Sequence, residues 1–170
     1  MILSLCGMMG CGKSSTGAAL ARLLGWPFLD LDAVIEEREG RIIPEIFAAD
    51  GEAGFRRAER AALEGILDAP ESDLVLALGG GTVLTPACAD LVRHRTCCIY
   101  LRTSADTLAA RLQDQTDARP LLQTPDVPAR LAALLEDRAF LYETVAAHIV
   151  DTDGLDPETA ARTIRDLLPG

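Results

Sequence analysis

The chain has 170 residues, of which 49% are hydrophobic and 25% charged, an ordinary composition for one globular domain. Its formal net charge is −10, so we expect it to bind neither nucleic acid nor an anionic membrane, because both need a basic face. No apolar run is long enough to span a membrane, and Met1 leads directly into ILSLC without a charged leader, so we expect a cytoplasmic protein.

Short apolar runs alternate along the chain with segments of helical period. Strands that are apolar on both faces and separated by helices are typical of a parallel sheet covered on both sides. We therefore predict an α/β fold, a three-layer α/β/α sandwich with a five-stranded parallel sheet. The predicted strands are 2–6, 27–32, 74–78, 97–101 and 147–150, and the predicted helices are about 14–24, 33–39, 52–67 and 86–92, one from 105, and about 127–146 and 157–168.

The stretch GMMGCGKS, residues 7–14, matches the phosphate-binding pattern G-x-x-x-x-G-K-[ST] between a predicted strand and a predicted helix. Its glycines let the backbone wrap with its N–H groups inward, and the helix start adds the positive end of a dipole. Lys13 is the only lysine of the chain, and its thin stem can reach between two phosphates where a broad guanidinium cannot. We predict that ATP binds to Gly10, Cys11, Gly12, Lys13, Ser14 and Ser15, with the Ser14 hydroxyl as a ligand of Mg²⁺.

Asp30 and Asp32, in PFLDLD, are two residues apart at the end of a predicted strand. This spacing predicts that both side chains point to one side, at the sheet edge where ligands of such folds bind. One carboxylate would hold Mg²⁺ through water, and the other would orient an acceptor hydroxyl. A solvated pair that caps the following helix is the alternative. The third apolar strand does not end in an aspartate, so we expect metal binding to rest on Ser14 and Asp30.

The stretch IFAADGEAGFRRAE, residues 46–59, carries Phe47 and Phe55 as candidate apolar walls of a site. Arg56 and Glu59 are three apart, so they fall on one helix face and the glutamate can hold the guanidinium. An arginine held in this way suits bidentate capture of a carboxylate, although a solvated salt-bridged helix face would explain RRAE alone.

Three consecutive glycines, Gly79, Gly80 and Gly81, follow the predicted strand at 74–78. Three in a row are costly in entropy unless something comes very close to the backbone, so we predict that they line a ligand. The longest polar stretch, residues 113–128, is the candidate for a functional lid.

The five cysteines are odd in number and lack C-x-x-C spacing, so neither a disulfide framework nor a zinc site is indicated. The two histidines, His94 and His148, lie near no candidate motif. Any acid–base chemistry must therefore fall to carboxylates.

Taken together, these motifs resemble shikimate kinases over essentially the whole chain. The resemblance rests on GMMGCGKS, LGWPFLDLD, IFAADGEAGFRRAE, LALGGGTVL, ARPLL and RAFLYETVA, in the family's order and spacing. It implies transfer of the ATP γ-phosphate to the 3-hydroxyl of shikimate, in the pathway to aromatic amino acids. It also implies one kinase domain over 1–170, with a substrate-binding segment at about 31–60 and a lid at about 112–126. We expect a monomer.

The resemblance also implies roles for individual residues. Lys13 and Ser14 match the phosphate and Mg²⁺ contacts, Asp30 the aspartate near the metal, and Asp32 the residue that contacts the shikimate hydroxyls and is the candidate base. Arg56 and Arg138 match the pair that holds the substrate carboxylate.

For the remaining positions, Gly80 and Gly81, together with Gly79, match the backbone that lines the substrate ring. Arg119, in ARPLL, matches the lid arginine that reaches the transferring phosphate, so it joins Lys13 and Asp32 as a catalytic candidate and also contacts ATP. Arg111 and Pro157 match the neighbours of the adenine.

Two other functions remain open at this point. A gluconate-type kinase also uses a phosphate-binding loop on a small hydroxy acid, but it does not explain FLDLD, FRRAE and GGGT together. A non-catalytic ATP-binding partner would need an incompetent residue at some catalytic position, and every such position here holds a competent one.

Overall fold

The structure, a computed structural model, describes residues 1–69, 73–113 and 120–169. Strands and helices alternate along most of the chain, as the apolar pattern predicts. Their bounds are β1 Ile2–Cys6, α1 Lys13–Leu24, β2 Phe28–Asp30, α2 Leu31–Glu39, α3 Ile43–Asp68, β3 Leu74–Ala77, α4 Pro86–Arg95, β4 Cys97–Arg102, α5 Ala105–Leu112, α6 Val127–Val145, β5 His148–Asp151 and α7 Pro157–Leu167. None of the helices in these ranges is both long enough and apolar enough to cross a membrane.

The five strands form one sheet in the order β2-β3-β1-β4-β5, and every neighbouring pair is parallel. Strands β1 and β3 are buried along their whole length, whereas the edge strands β2 and β5 are partly exposed. The predicted five-stranded parallel sheet is confirmed. Complete burial on both faces is found in the central strands β1 and β3 but not in the two edge strands. Burying an aliphatic side chain such as Leu5 contributes about 1.5–3 kcal/mol.

Helices cover both faces of the sheet. On one face α1 packs against α7, and Gly17 of α1 lies against Leu5 of β1. On the other face α4 packs against α6, Ser4 of β1 hydrogen bonds to Thr96 just after α4, and Tyr100 of β4 stacks on a tyrosine of α6. The alternation of Ser4 and Leu5 follows from the two-residue period of a strand. The predicted three-layer α/β/α sandwich is confirmed.

Sheet order brings two loops together. Because β1 and β3 are adjacent and parallel, the glycine-rich loop after β1 and the triple glycine after β3 leave the same edge of the sheet side by side. Helix α7 begins nearby with a cap that the sequence encodes, since Asp156 accepts a hydrogen bond from the Thr159 N–H and Pro157 occupies the first turn.

The structure corrects two local predictions. Strand β2 ends at Asp30, and Asp32 lies in the first turn of α2, so the two carboxylates do not share one side of a strand. The reason is that Asp30 caps α2 by accepting the Asp32 N–H, which starts the helix two residues before the predicted Ala33.

The second correction concerns α3, which begins at Ile43 and not near Glu52. Gly51, with φ 70° and ψ −176°, interrupts the helix, so α3 consists of two helical segments on either side of that glycine. A positive φ is costly for other residues, so a glycine at position 51 allows the helical backbone to be interrupted there and to resume directly afterwards.

Candidate active site

The loop between β1 and α1 has the backbone that the phosphate-binding pattern requires. Gly7, Gly10 and Gly12 have φ values of 143°, 81° and 92°, which other residues rarely adopt. Lys13 is the first residue of α1, and its Nζ donates to the carbonyl oxygens of Gly7 at 2.8 Å and Met8 at 3.0 Å. The ammonium is therefore held within the curve of the loop.

A cavity of about 240 Å³, called here the P-loop cavity, opens between this loop, the two aspartates Asp30 and Asp32, and the glycines Gly79 and Gly80. On its wall the Ser14 hydroxyl donates to Oδ2 of Asp30 at 2.5 Å. Oδ1 of Asp30 accepts the Asp32 N–H at 3.0 Å. Asp30 thus caps α2 and also contacts Ser14, so the capping alternative raised from the sequence holds for Asp30.

Asp32 lines the P-loop cavity and also a second cavity described below. The pKa of its carboxyl group is raised from 3.8 to about 6, chiefly by burial and further by the negative charges of Asp30 and Glu59, while Lys13 acts in the opposite direction. A carboxylate with a pKa near 6 is ionised at neutral pH and remains basic enough to accept a proton.

The second cavity, called here the Arg56 cavity, has a volume of about 260 Å³ and is lined on one side by Phe47, Phe55 and Arg56 of α3. The two phenyl rings stack with centroids 4.6 Å apart, and both of the predicted apolar walls lie in the cavity. Gly79, Gly80 and Gly81 line another side, and Arg138 reaches the cavity from α6.

The predicted ion pair on α3 is confirmed. Nη1 of Arg56 donates to Oε2 of Glu59 at 2.7 Å, and Glu59 is 1% exposed. Oε1 of Glu59 accepts a second hydrogen bond from the Thr82 hydroxyl, also at 2.7 Å. A buried carboxylate with both oxygens occupied keeps the guanidinium in one orientation. The sequence pattern had not singled out Thr82, although it directly follows the triple glycine.

The third cavity, called here the Arg111 cavity, has a volume of about 320 Å³ and lies on the far side of the glycine-rich loop. Arg111 and Pro157, predicted as a pair, both line it. Nη1 of Arg111 donates to the carbonyl oxygens of Gly10 at 3.3 Å and Cys11 at 3.2 Å, and Nη2 donates to that of Thr152 at 3.4 Å. Arg111 therefore ties the loop to the segment before α7.

The three cavities adjoin one another at the sheet edge and are together called the groove. The P-loop cavity shares Asp32, Gly79 and Gly80 with the Arg56 cavity, and it shares Gly10, Gly12 and Ser15 with the Arg111 cavity. In this groove the Arg111 cavity could hold a flat apolar group, the P-loop cavity a row of phosphates, and the Arg56 cavity a small charged molecule.

Comparison with known proteins agrees with this arrangement. The sequence model of the family described as shikimate kinase matches residues 9–169. The chain belongs to the shikimate kinase family. The shikimate kinase of Halorhodospira halophila (strain DSM 244 / SL1) is 45% identical over 166 residues, which cover 98% of this chain and 92% of that protein. That of Synechococcus sp. (strain CC9605) is 46% identical over 167 residues, covering 98% and 82%.

Solved structures of shikimate kinases also match in fold. The enzyme from Acinetobacter baumannii in complex with shikimate has a TM-score of 0.90 and 36% identity, and the match covers 98% of this chain and 91% of that one. The enzyme from Bacteroides thetaiotaomicron has a TM-score of 0.86 and 32% identity, with 98% and 97% covered.

In this member of the shikimate kinase family, the groove brings together almost every residue predicted from the sequence. Cys11 lines the Arg111 cavity although it is almost wholly buried, with Sγ 3.8 Å from Nζ of Lys13. Arg119 and residues 114–118 of the predicted lid lie outside the described residues. Beyond them, Leu121 lines the Arg56 cavity and Leu122 is buried.

Proposed function

We propose that this chain is a shikimate kinase that transfers the γ-phosphoryl group of ATP to the 3-hydroxyl of shikimate, in the biosynthesis of aromatic amino acids. The observation that carries the proposal is that Asp32, a carboxylate with a raised pKa, lines two adjoining cavities. One of them holds the lysine of a phosphate-binding loop, and the other holds two arginines. A phosphoryl donor and an anionic acceptor would therefore meet at Asp32.

The Arg56 cavity fits a small polyol with one carboxylate. Arg56, oriented by Glu59, and Arg138 supply the cations for that carboxylate, and Asp32 supplies an acceptor for a hydroxyl. The triple glycine lets a ring approach the backbone, and Phe47 and Phe55 provide an apolar wall. Gly79, Gly80, Gly81, Arg56, Arg138 and Asp32 are the proposed substrate-binding residues.

The other two cavities fit ATP. We assign the adenine to the Arg111 cavity, between Arg111 and Pro157, and the phosphates to the backbone of residues 10–15 at the start of α1. Lys13 would contact the β- and γ-phosphates, exchanging its present carbonyl partners for phosphate oxygens.

Mg²⁺ is the proposed cofactor. Ser14 and Asp30 offer a hydroxyl and a carboxylate 2.5 Å apart on the wall of the P-loop cavity, and hard oxygen donors of this kind suit Mg²⁺ that arrives with a nucleotide. When bound, the ion would neutralise part of the charge on the transferring phosphates.

The chain's own residues then divide the chemistry. Asp32 orients the acceptor hydroxyl and takes its proton, while the acceptor oxygen bonds to the γ-phosphorus and the bond from that phosphorus to the ADP oxygen breaks. Lys13 holds the phosphates in line, and the walls of the groove limit water as a competing acceptor. Arg119 is proposed, from the family resemblance, to complete the charge stabilisation.

We also propose one kinase domain over 1–170, with a substrate-binding segment at about 31–60 and a lid at about 112–126. A monomer remains the proposed oligomeric state. A cytoplasmic location is proposed because all five cysteines are free thiols, as is usual in a reducing compartment.

The test of this function is ADP release from Mg·ATP by the purified protein, compared with shikimate, with gluconate and without an acceptor. We expect release with shikimate only. Equal stimulation by gluconate would favour the gluconate-type kinase, and nucleotide binding without release would favour a non-catalytic ATP-binding partner. Identification of the product as shikimate 3-phosphate by phosphorus NMR would establish which hydroxyl reacts.

Gly81→Ala is expected to raise the KM for shikimate about tenfold and to leave the KM for ATP unchanged. A Cβ at Gly81 would lie 2.5 Å from Nη2 and 3.1 Å from Nη1 of Arg56, so the guanidinium must move away from its position beside Glu59. Steady-state kinetics with each substrate varied in turn would measure this effect.

Gly65→Ala is the matched control, because its Cβ would lie 2.4 Å from Nη1 of Arg38, a guanidinium that lines none of the three cavities. We expect normal kinetics from that variant. An unchanged KM for shikimate in Gly81→Ala would remove Arg56 from the proposed carboxylate site.

A further inference from the structure

Tyr142 of α6 is a buried residue that the chemistry above does not use. It has no exposed surface, and its hydroxyl donates to the carbonyl oxygen of Gly80 at 2.6 Å. The same hydroxyl lies 3.6 Å from Sδ of Met8 at the beginning of the glycine-rich loop. Arg138 lies one helical turn earlier on α6, and its guanidinium is adjacent to the Tyr142 hydroxyl.

The backbone that Tyr142 holds lies between two of the cavities. A Cβ at Gly80 would be 3.4 Å from the Met9 nitrogen and 3.8 Å from the Gly7 oxygen, so the triple glycine packs directly against the glycine-rich loop. The hydrogen bond from Tyr142 is thus made to the strip of backbone that separates the P-loop cavity from the Arg56 cavity.

We propose that Tyr142 is a positioning residue that sets the separation between the phosphoryl donor and the acceptor. It does so by holding the Gly80 carbonyl, the start of the glycine-rich loop and the Arg138 side chain in one arrangement. This inference rests on the proposed function. In-line phosphoryl transfer depends steeply on the distance between the attacking oxygen and the phosphorus, so a small shift of the Gly80 backbone would slow transfer more than it weakens binding.

A purely structural role in packing is the competing interpretation, and the chain contains its own control. Tyr100 of β4 stacks on Tyr142 with ring centroids 5.2 Å apart, is equally buried, and its hydroxyl has no hydrogen-bond partner within the described part of the chain. Replacing either tyrosine with phenylalanine keeps the ring and removes one hydroxyl. Of the two hydroxyls, only that of Tyr142 donates a hydrogen bond to a residue that lines the cavities.

The experiment compares wild-type protein, Tyr142→Phe and Tyr100→Phe in the shikimate-dependent assay of ADP release. For Tyr142→Phe we expect kcat to fall roughly ten- to a hundredfold, with the KM for ATP and the KM for shikimate changed far less. For Tyr100→Phe we expect wild-type kinetics. Thermal unfolding of all three proteins gives the temperature range in which each is folded, and the kinetics are measured below it.

A second readout is the coupling between the ligands, measured as the ratio of shikimate affinities with and without a non-hydrolysable ATP analogue. We expect Tyr142→Phe to change this ratio and Tyr100→Phe to leave it unchanged, which a loss of stability alone would not produce. Normal kcat in Tyr142→Phe, or equal losses in both variants, would overturn the inference. Absence of shikimate-dependent release in the wild-type protein would instead overturn the proposed function on which the inference rests.

Discussion

Lys13→Ala is expected to lower kcat about 1000-fold or more and to leave the fold intact. The ammonium is the only cation on the glycine-rich loop, and its Nζ is held inside the curve of that loop by the carbonyls of Gly7 and Met8. Alanine removes the charge that would face the transferring phosphates. Circular dichroism and single-turnover kinetics would separate loss of chemistry from loss of structure.

Lys13→Arg is the informative companion to this variant. It keeps the charge but replaces a compact ammonium on a thin stem with a broad planar guanidinium, which cannot reach between two phosphates in the same way. We expect a loss of kcat close to that of Lys13→Ala. Near-normal turnover in the arginine variant would show that charge alone matters. It would contradict the explanation that the shape of lysine is needed at position 13 in a chain whose other basic residues are arginine.

Asp32→Asn is expected to lower kcat about 100- to 10,000-fold while the KM for ATP stays close to normal, because the amide cannot take the proton of the acceptor hydroxyl. The kcat/KM of the wild-type enzyme for shikimate should also fall as the pH drops below about 6, where Asp32 of the free enzyme becomes protonated. The variant should lack this acidic limb. A near-normal kcat, or an acidic limb that persists, would remove Asp32 from the role of base.

The same substitution is expected to stabilise the fold at pH 8. The folded-state pKa of Asp32 is raised from 3.8 to about 6, so the folded protein holds this proton more tightly than the unfolded chain does. That contribution to stability is fully present below about pH 4 and is lost as the pH rises through about 6. Asparagine avoids the buried charge, and we expect the free energy of unfolding at pH 8 to rise by up to about 3 kcal/mol, measured by urea denaturation. No gain at pH 8 would indicate that other groups in the groove already compensate the Asp32 charge.

The parts of the site that sequence predicts well are those in which spacing dictates geometry. A lysine after G-x-x-x-x-G between a strand and a helix can hardly lie elsewhere than at the start of α1, and residues three apart on a helix, such as Arg56 and Glu59, must share a face. The parallel sheet could also be predicted, because buried strands that alternate with helices are typical of a parallel sheet.

The parts that were wrong or missed depend on competition between local structures or on contacts between distant segments. The sequence DLD is compatible both with the end of a strand and with the capped start of a helix. The structure has the helix cap, because Asp30 accepts a hydrogen bond from the N–H of Asp32. The helix predicted at about 52–67 begins at Ile43 instead, and Gly51 lies within α3. The contacts of Tyr142 with Gly80 and of Thr82 with Glu59 join segments far apart in the chain, which a single sequence does not reveal.

The division of the groove into separate cavities allows acceptor specificity to diverge independently of nucleotide binding. Within the described part of the chain, the Arg56 and Arg111 cavities share no lining residue. Helix α3 supplies five residues that line the Arg56 cavity and neither of the other two: Ile43, Phe47, Phe55, Arg56 and Glu59. Mutations in α3 can therefore alter which acceptor fits without changing a described residue of the proposed ATP site. Gene segments that encode α3 are therefore natural units for recombination, in evolution or in the laboratory, between kinases that share this scaffold and differ in the molecule they phosphorylate.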